Sequence, residues 1–142
     1  MSNNHLKIIK KLIEKCKRKG EVPVVALIYN IKHQEKIFYS YNTRQKKYTI
    51  CGHAEINLIN KMFKKTKSKN LINFEMIVTL IPCEMCYFAI KQVSIKNIYY
   101  ILDNDKTITK DIEQTTPKLI KIKSEYSEQY KKELSNFFKK MR

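Results

Sequence analysis

Short apolar runs that suit buried β-strands alternate along this chain with segments whose apolar residues recur at helical spacing. The predicted strands cover residues 24–29, 36–41, 74–80 and 98–102, with a short fifth at 119–122. The predicted helices cover residues 4–19, 53–67, 83–93 and 124–141. The first two strands form a hairpin in this reading, and the later strands need crossover connections. The sequence therefore predicts an α/β fold, with helices on both faces of one mixed five-stranded sheet.

The apolar stripe of each predicted helix indicates which side chains should face the sheet. In the third helix this stripe is Met85, Phe88 and Ala89. In the last helix it is Tyr126, Tyr130, Leu134 and Phe138. Residues 43–52, between the hairpin and the second helix, are polar and predict irregular structure.

Length and composition limit the class of protein. With 142 residues, 43% of them hydrophobic, the chain predicts a single folded domain, 1–142, rather than a disordered segment. Its apolar runs are shorter than the ~20 residues of a membrane span. No signal-peptide pattern follows Met1. We expect a cytoplasmic protein that does not bind membranes.

The formal net charge of +16 has two readings. A strongly basic chain suits a polyanionic partner such as nucleic acid. However, only three of the 29 basic residues are arginines, and glycine and tryptophan are scarce. Such a composition is also what AT-rich coding produces in any protein. The charge alone leaves both readings open.

Two short motifs carry the chemistry, and each falls where a predicted helix begins. They are His53-Ala54-Glu55 and Pro82-Cys83-Glu84-Met85-Cys86. Cysteines three apart lie on one face of a first helical turn, where the helix dipole favours thiolates. His53 can add a nitrogen ligand. One nitrogen and two sulfurs predict a tetrahedral zinc site with one position open to water, whose pKa zinc lowers toward neutrality.

Glu55 lies two residues from His53, within reach of such a water. A carboxylate there can take a proton from the water and pass it to a leaving amine. These residues together predict zinc-assisted hydrolytic removal of an amino group.

The same residues also allow interpretations without a catalytic site. A C-x-x-C pair can be a redox pair or half of a structural zinc site. Cys51, two residues before His53, would close the site as a structural one if it were a fourth ligand. That arrangement would leave Glu55 without a role.

The motifs resemble those of the bacterial tRNA adenosine deaminases, within the zinc-dependent cytidine and deoxycytidylate deaminase superfamily. The resemblance includes a G-E-V-P-V segment, an asparagine eleven residues before the histidine, H-A-E-I, T-L-x-P-C-x-M-C-x-x-A-I and an L-S-x-F-F ending. In this chain these begin at Gly20, Asn42, His53, Thr79 and Leu134. The family fold is the three-layer α-β-α cytidine-deaminase-like fold, which the resemblance therefore implies here.

The resemblance also implies roles for single residues. His53, Cys83 and Cys86 would bind one Zn²⁺ per subunit, and Glu55 would shuttle protons. Substrate contacts would come from Asn42, the backbone N–H of Ala54 and Pro82. The implied reaction converts the wobble adenosine of a tRNA anticodon, usually in an arginine tRNA, to inosine with release of ammonia. The implied partners are the anticodon stem-loop and a second copy of the chain.

The chain also departs from the family pattern. Ile81 replaces a glutamate before Pro-Cys, Thr49-Ile50-Cys51-Gly52 replaces a D-P-T-A lead, and the region 107–116 is short. Candidate RNA contacts are Lys106, Lys139, Lys140 and Arg142. Two other functions remain open: a deaminase of a free base, nucleoside or nucleotide (of guanine, cytosine or cytidine type), and a non-catalytic RNA-binding module with structural zinc.

Overall fold

Five strands form one mixed sheet covered by helices on both faces in the computed structural model, which describes residues 1–105 and 116–141. The strands are β1 (Val25–Asn30), β2 (Ile37–Tyr41), β3 (Phe74–Leu80), β4 (Asn97–Leu102) and β5 (Lys118–Lys121). The helices are α1 (Asn3–Arg18), α2 (Arg44–Lys47), α3 (Ala54–Thr66), α4 (Glu84–Gln92) and α5 (Tyr126–Lys140). The predicted α/β fold is confirmed, and the short helix α2 is an addition within the segment predicted to be irregular. No helix in these two ranges is both long and apolar enough to span a membrane.

The sheet order is β2-β1-β3-β4-β5, with β1 antiparallel to both of its neighbours and β3, β4 and β5 mutually parallel. The β1–β2 hairpin is confirmed. Its turn begins at Asn30, whose Oδ1 accepts hydrogen bonds from the backbone N–H groups of Lys32 and His33. Because β1 runs against β3 and β4, the start of β1 lies beside the carboxyl ends of β2, β3 and β4. This shared edge positions the candidate site.

Alternation along β1 places successive side chains in two separate cores. On one face, Val25, Leu27 and Tyr29 pack with the buried residues of α1 and α5. On the other face, Ala26 and Ile28 pack with buried residues of α3 and α4. The layers are therefore α1 and α5, the sheet, and α3 and α4, which is the predicted three-layer arrangement.

The prediction of which face of α4 is buried is wrong. Met85 and Phe88 are exposed, and the buried side chains are Cys86, Tyr87 and Ile90. Both stripes of this helix are apolar, so periodicity alone does not choose between them. The rotation that turns Cys86 toward His53 also buries Tyr87 and Ile90. The same kind of error affects α5, where Tyr126, Tyr130 and Leu134 are buried but Phe138 is 46% exposed.

A buried chain of hydrogen bonds fastens α5 to the sheet. The backbone N–H of Val25 donates to Thr79 Oγ1 at 3.1 Å, and the Thr79 hydroxyl donates to Tyr130 Oη at 2.9 Å. The Tyr130 hydroxyl in turn donates to the carbonyl of Pro23 at 2.9 Å. Burial also raises the pKa of Tyr130, so the phenol stays protonated and keeps its donor. These bonds join α5, β3 and the entry to β1 next to the site edge.

Replacing Tyr130 with phenylalanine should lower the free energy of unfolding by about 1–3 kcal/mol, because the Pro23 carbonyl and the Thr79 hydroxyl lose a buried partner. Urea denaturation followed by circular dichroism measures this loss. Tyr48→Phe is the matched control, since Tyr48 is 96% exposed. Equal stability of the two variants would contradict the structural role of this hydrogen-bond chain.

Candidate active site

The first residues of α3 and α4 bring three metal-binding side chains together. His53 and Cys83 are the N-cap residues of these helices, and neither side chain caps its own helix. The Nδ1 atom of His53 instead lies 3.6 Å from the sulfur of Cys83 and 3.4 Å from the sulfur of Cys86. One potential ligand atom from each of the three residues lies within 4.8 Å of the others. The residues selected from the sequence as metal ligands therefore meet at one point.

These separations suit a zinc ion. Zinc bonds of about 2.3 Å to sulfur and about 2.0–2.1 Å to nitrogen at tetrahedral angles predict nitrogen–sulfur distances near ~3.6 Å. The two measured distances, 3.4 and 3.6 Å, fall close to that value. Cys51 is exposed and does not belong to this cluster, the one such group that the described residues contain. Among the described residues the donor set is therefore one nitrogen and two sulfurs, without a fourth ligand.

Hydrogen bonding within the cluster favours a thiolate. The hydrogen bond from Cys86 and a second from His53 lower the pKa of Cys83 to about 4, against the opposing effect of burial. The pKa of Cys86 is raised, because its thiol donates to Cys83 and is buried. The hydrogen bond to Cys83 likewise raises the pKa of His53. The three groups share protons at the place where a cation would replace them.

Glu55 lies in the first turn of α3 and is only 3% exposed. Burial raises the pKa of its carboxyl group. It lines a cavity of about 360 Å³ together with His53 and Cys83. A buried carboxyl beside a metal site and a substrate-sized cavity is arranged as a general acid and base would be.

Asn42, directly after β2, contacts the start of α3. Its Oδ1 accepts a hydrogen bond of 2.8 Å from the backbone N–H of Ala54. Because that N–H needs an acceptor, the amide orientation is fixed, and Nδ2 is the donor that remains for other partners. Asn42 also lines the cavity. The structure thus links two of the predicted substrate contacts to each other.

The predicted substrate contact Pro82 is buried between Ile81 and Cys83, both of which line the cavity. Ile81, one of the departures from the family pattern, is buried and donates its backbone N–H to the carbonyl of Leu102. This bond ties the approach to α4 onto the end of β4. The apolar side chain of Ile81 forms part of the cavity wall.

Phe138 is a cavity residue that the sequence analysis missed. Its ring lines the 360 Å³ cavity and also an adjoining cavity of about 650 Å³, which shares Leu80 and Asn104. The four-residue spacing of α5 indicates a core position for Phe138, since the helix stripe does not show where the sheet ends. The change from buried to exposed along this stripe falls between Leu134, at 9% exposure, and Phe138, at 46%.

The predicted RNA contacts lie at different distances from the cavity. Lys139 lines the adjoining 650 Å³ cavity. Lys140 is exposed and faces a third cavity, between α5 and the end of α1. Lys106 and Arg142 lie outside the described residues, as does nearly all of the short region 107–116.

Comparison with known proteins agrees with this geometry. Residues 2–102 match the family model of the cytidine and deoxycytidylate deaminase zinc-binding region. The match covers more than half of the chain, so the chain belongs to this family of zinc-dependent deaminases. The predicted family is thereby confirmed.

The sequence relatives are more specific. The tRNA-specific adenosine deaminase of Rickettsia bellii is 40% identical over 88 residues, which are 62% of this chain and 61% of that protein. The enzyme of the same name from Aquifex aeolicus is 30% identical over 144 aligned positions, covering 96% of this chain and 93% of that protein. The chain spans about three fifths of the length of the Rickettsia relatives that it matches.

Solved structures share the fold. One, from a study of A-to-I editing by tRNA:A34 deaminases at the wobble position, has a TM-score of 0.71 at 20% identity, covering 82% of this chain and 95% of that one. A guanine deaminase from Nitrosomonas europaea has a TM-score of 0.67 at 14% identity, covering 93% and 79%. At these identities the likeness shows the cytidine-deaminase-like fold, and it does not choose a substrate.

Replacing any one of the three cluster residues should lower the zinc content of the purified protein. Cys83→Ser, Cys86→Ser and His53→Ala each remove one of three donors, whereas Cys51→Ser removes a thiol outside the cluster. We expect about one zinc per chain for the wild type and for Cys51→Ser, and well below half of that for the others. Inductively coupled plasma mass spectrometry measures the ratio. Zinc loss in Cys51→Ser with retention in Cys83→Ser would reverse the assignment.

Proposed function

We propose that this protein is a zinc-dependent tRNA adenosine deaminase, which hydrolyses the wobble adenosine of an anticodon to inosine, with an arginine tRNA as the expected substrate. The observation that carries the proposal is the cluster of His53, Cys83 and Cys86 beside a cavity that buried Glu55 lines. The relatives named tRNA-specific adenosine deaminase supply the substrate class.

In this proposal His53, Cys83 and Cys86 hold one zinc ion per subunit. When bound, zinc activates water for attack on a carbon that carries an amino group. The nitrogen and sulfur donors leave a position that no protein side chain of the cluster fills, which is typical of catalytic rather than structural sites.

Glu55 moves the protons. Its carboxyl group takes a proton from the attacking water and passes it to the amino group at C6 of adenine. That amino group then leaves as ammonia. Burial supports this role, since it raises the pKa of the Glu55 carboxyl group and so favours holding the proton between the two transfers.

Asn42 and Ala54 position the base. The Ala54 N–H orients the Asn42 amide, so Nδ2 is the donor that a base in the cavity can use. Pro82, with Ile81 beside it, supports the apolar wall against which a flipped base can lie. An enzyme that reacts at a base edge must take that base out of its stack, and a cavity of about 360 Å³ can receive a single nucleobase.

The excess of basic residues supports an RNA substrate, since phosphate contacts require only positive charge. Lys139 beside the adjoining cavity and Lys140 further along α5 are candidate phosphate contacts. We retain Lys106 and Arg142 as candidates from the sequence. The proposal further takes residues 1–142 as one deaminase domain that works in the cytoplasm.

Incubating the zinc-loaded protein with an anticodon stem-loop that bears a wobble adenosine tests this function. We expect inosine in the RNA, detected by nuclease digestion and mass spectrometry, and no turnover of free guanine, cytosine or cytidine. Turnover of a free base without an RNA product would contradict the proposal and select the small-molecule alternative, whose fold the guanine deaminases share.

Glu55→Gln should keep its zinc and lose about 10²–10⁴-fold in kcat, because the amide cannot transfer the proton. Glu128→Gln, a change at an exposed position in α5, is the matched control and should keep its activity. Zinc content and inosine formation are measured on the same preparations. If wild type and Glu55→Gln were equally inactive on every candidate substrate, the non-catalytic RNA-binding reading would be favoured.

We also propose that the chain forms a homodimer through the outward face of α4. Met85 and Phe88 are exposed there, 36% and 46% respectively, on the helix that carries two of the cluster cysteines. Apolar side chains that the fold leaves uncovered are suited to an isologous contact with a second copy.

Phe88→Glu should convert this dimer to a monomer, because the two introduced carboxylates, one from each subunit, would then meet unpaired at the contact and repel each other. Light scattering after size-exclusion chromatography gives the mass directly. Phe63→Glu, a similarly exposed phenylalanine on α3, is the control. A wild-type mass near 17.0 kDa would exclude the dimer.

A further inference from the structure

Residues 43–52 form a loop, here named the basic loop, whose two ends lie in the candidate active site. It follows Asn42 and precedes His53. The backbone N–H of Thr43 donates to the carbonyl of Gly52 at 2.8 Å and closes the loop at its base. Asn57 of α3 adds a second tie, because its Nδ2 donates to Thr43 Oγ1 at 2.9 Å. Whatever contacts this loop is therefore close to the cavity.

The surface of the basic loop combines positive charge with an exposed aromatic ring. Positions 44–51 are all exposed, and they include Arg44, Lys46 and Lys47 but no acidic residue. Tyr48 follows and is 96% exposed. Its φ of 52° is a conformation that bulky residues rarely adopt, and its N–H donates to the Arg44 carbonyl. The fold thus presents this ring to solvent beside three cations.

Two hydrogen bonds to the side chain of Glu21 fix the backbone of the basic loop. The Glu21 carboxylate is 1% exposed and accepts hydrogen bonds from the backbone N–H of Lys46 at 2.7 Å and of Gln45 at 3.0 Å. A buried carboxylate without these partners would be strongly destabilising, so the loop is kept in place. Close packing at Gly52 adds to this, since a Cβ there would lie 2.8 Å from the backbone nitrogen of Arg44. The loop is preformed in the free protein.

We propose that the basic loop is a docking surface for the single-stranded RNA that adjoins the target nucleotide. Lys46 and Lys47 contact its phosphates, and Tyr48 stacks on a neighbouring unpaired base. Glu21 is the positioning residue that keeps this surface at the cavity. The inference rests on the proposed function and identifies the substrate class further, as an unpaired polynucleotide rather than a free nucleoside.

The position of the loop favours this partner. Arg44 and Gln45 line the cavity itself, and Lys46, Lys47 and Tyr48 follow them directly in the chain. A nucleotide next to one held in the cavity is therefore within reach of these three side chains. Aromatic rings interleaved with cations are the combination that binds single strands, because stacking accepts any base and lysine meets each phosphate.

The test uses the full-length, zinc-loaded protein and a hairpin RNA with a wobble adenosine in its loop. Tyr48→Ala should raise KM about 5- to 100-fold with kcat within about twofold, whereas Tyr48→Phe, which keeps the ring, should resemble wild type. Lys46→Ala with Lys47→Ala should raise KM and reduce the slope of log affinity against log salt by about 1.4. Lys7→Ala with Lys11→Ala, on the exposed face of α1, removes the same charge and should change KM less than twofold.

The role of Glu21 is tested by the same comparison of a change in KM with a change in kcat. Glu21→Ala should raise KM as much as the paired lysine change, and Glu21→Gln, which keeps one acceptor oxygen, should restore most of the affinity. A purely structural role would instead reduce thermal stability and kcat together in both variants.

Binding without turnover separates the two proposals. Fluorescence anisotropy with the same hairpin gives a Kd for each variant whether or not inosine forms. Weaker binding in Tyr48→Ala and in the Lys46 and Lys47 pair, but not in the α1 pair, supports the docking surface even if the reaction assay fails. Equal Kd values for all of these variants would overturn it even if wild type makes inosine.

Discussion

The meeting of two helix starts at one edge of the sheet determines the rest of the site. His53 and Cys83 are the N-cap residues of α3 and α4, and their side chains approach within 3.6 Å. The strands that precede these helices, β2 and β3, are both antiparallel to β1, so their carboxyl ends lie at the same edge of the sheet. Each further element of the site attaches to this meeting point. Asn42 bonds to the first turn of α3, Glu55 is buried within that turn, and the ring of Phe138 lies across the cavity.

Much of this arrangement could be predicted because spacing in the sequence corresponds closely to geometry. The C-x-x-C motif at a helix start places both sulfurs on one face whatever surrounds it, and a histidine at the start of the preceding helix adds the nitrogen. Strand and helix positions followed from periodicity for the same reason. These features depend on neighbours that are close in the chain.

The missed features depend on contacts between distant segments. The inward face of α4 could not be read from its own residues, since Met85 and Phe88 form as apolar a stripe as Tyr87 and Ile90. Glu21 belongs to the G-E-V-P-V segment of the family resemblance, but its role could not be predicted, because its partners lie 24 and 25 residues further along. Phe138 lines the cavity at a place set by how α5 packs on the sheet, to which the Tyr130 hydrogen bonds with Thr79 and Pro23 contribute.

His53 and Cys83 stand where most helices place serine, threonine, aspartate or asparagine, and neither side chain forms the capping hydrogen bond with its own helix. In α3 the first N–H group donates to Asn42 Oδ1 instead, so a residue at the end of β2 supplies the missing acceptor. Helices lose about 0.5–2 kcal/mol when a cap is absent, and the Asn42 contact offsets that loss in α3. Asn42 therefore joins the stability of α3 to the candidate site, so a change at this one residue alters both together.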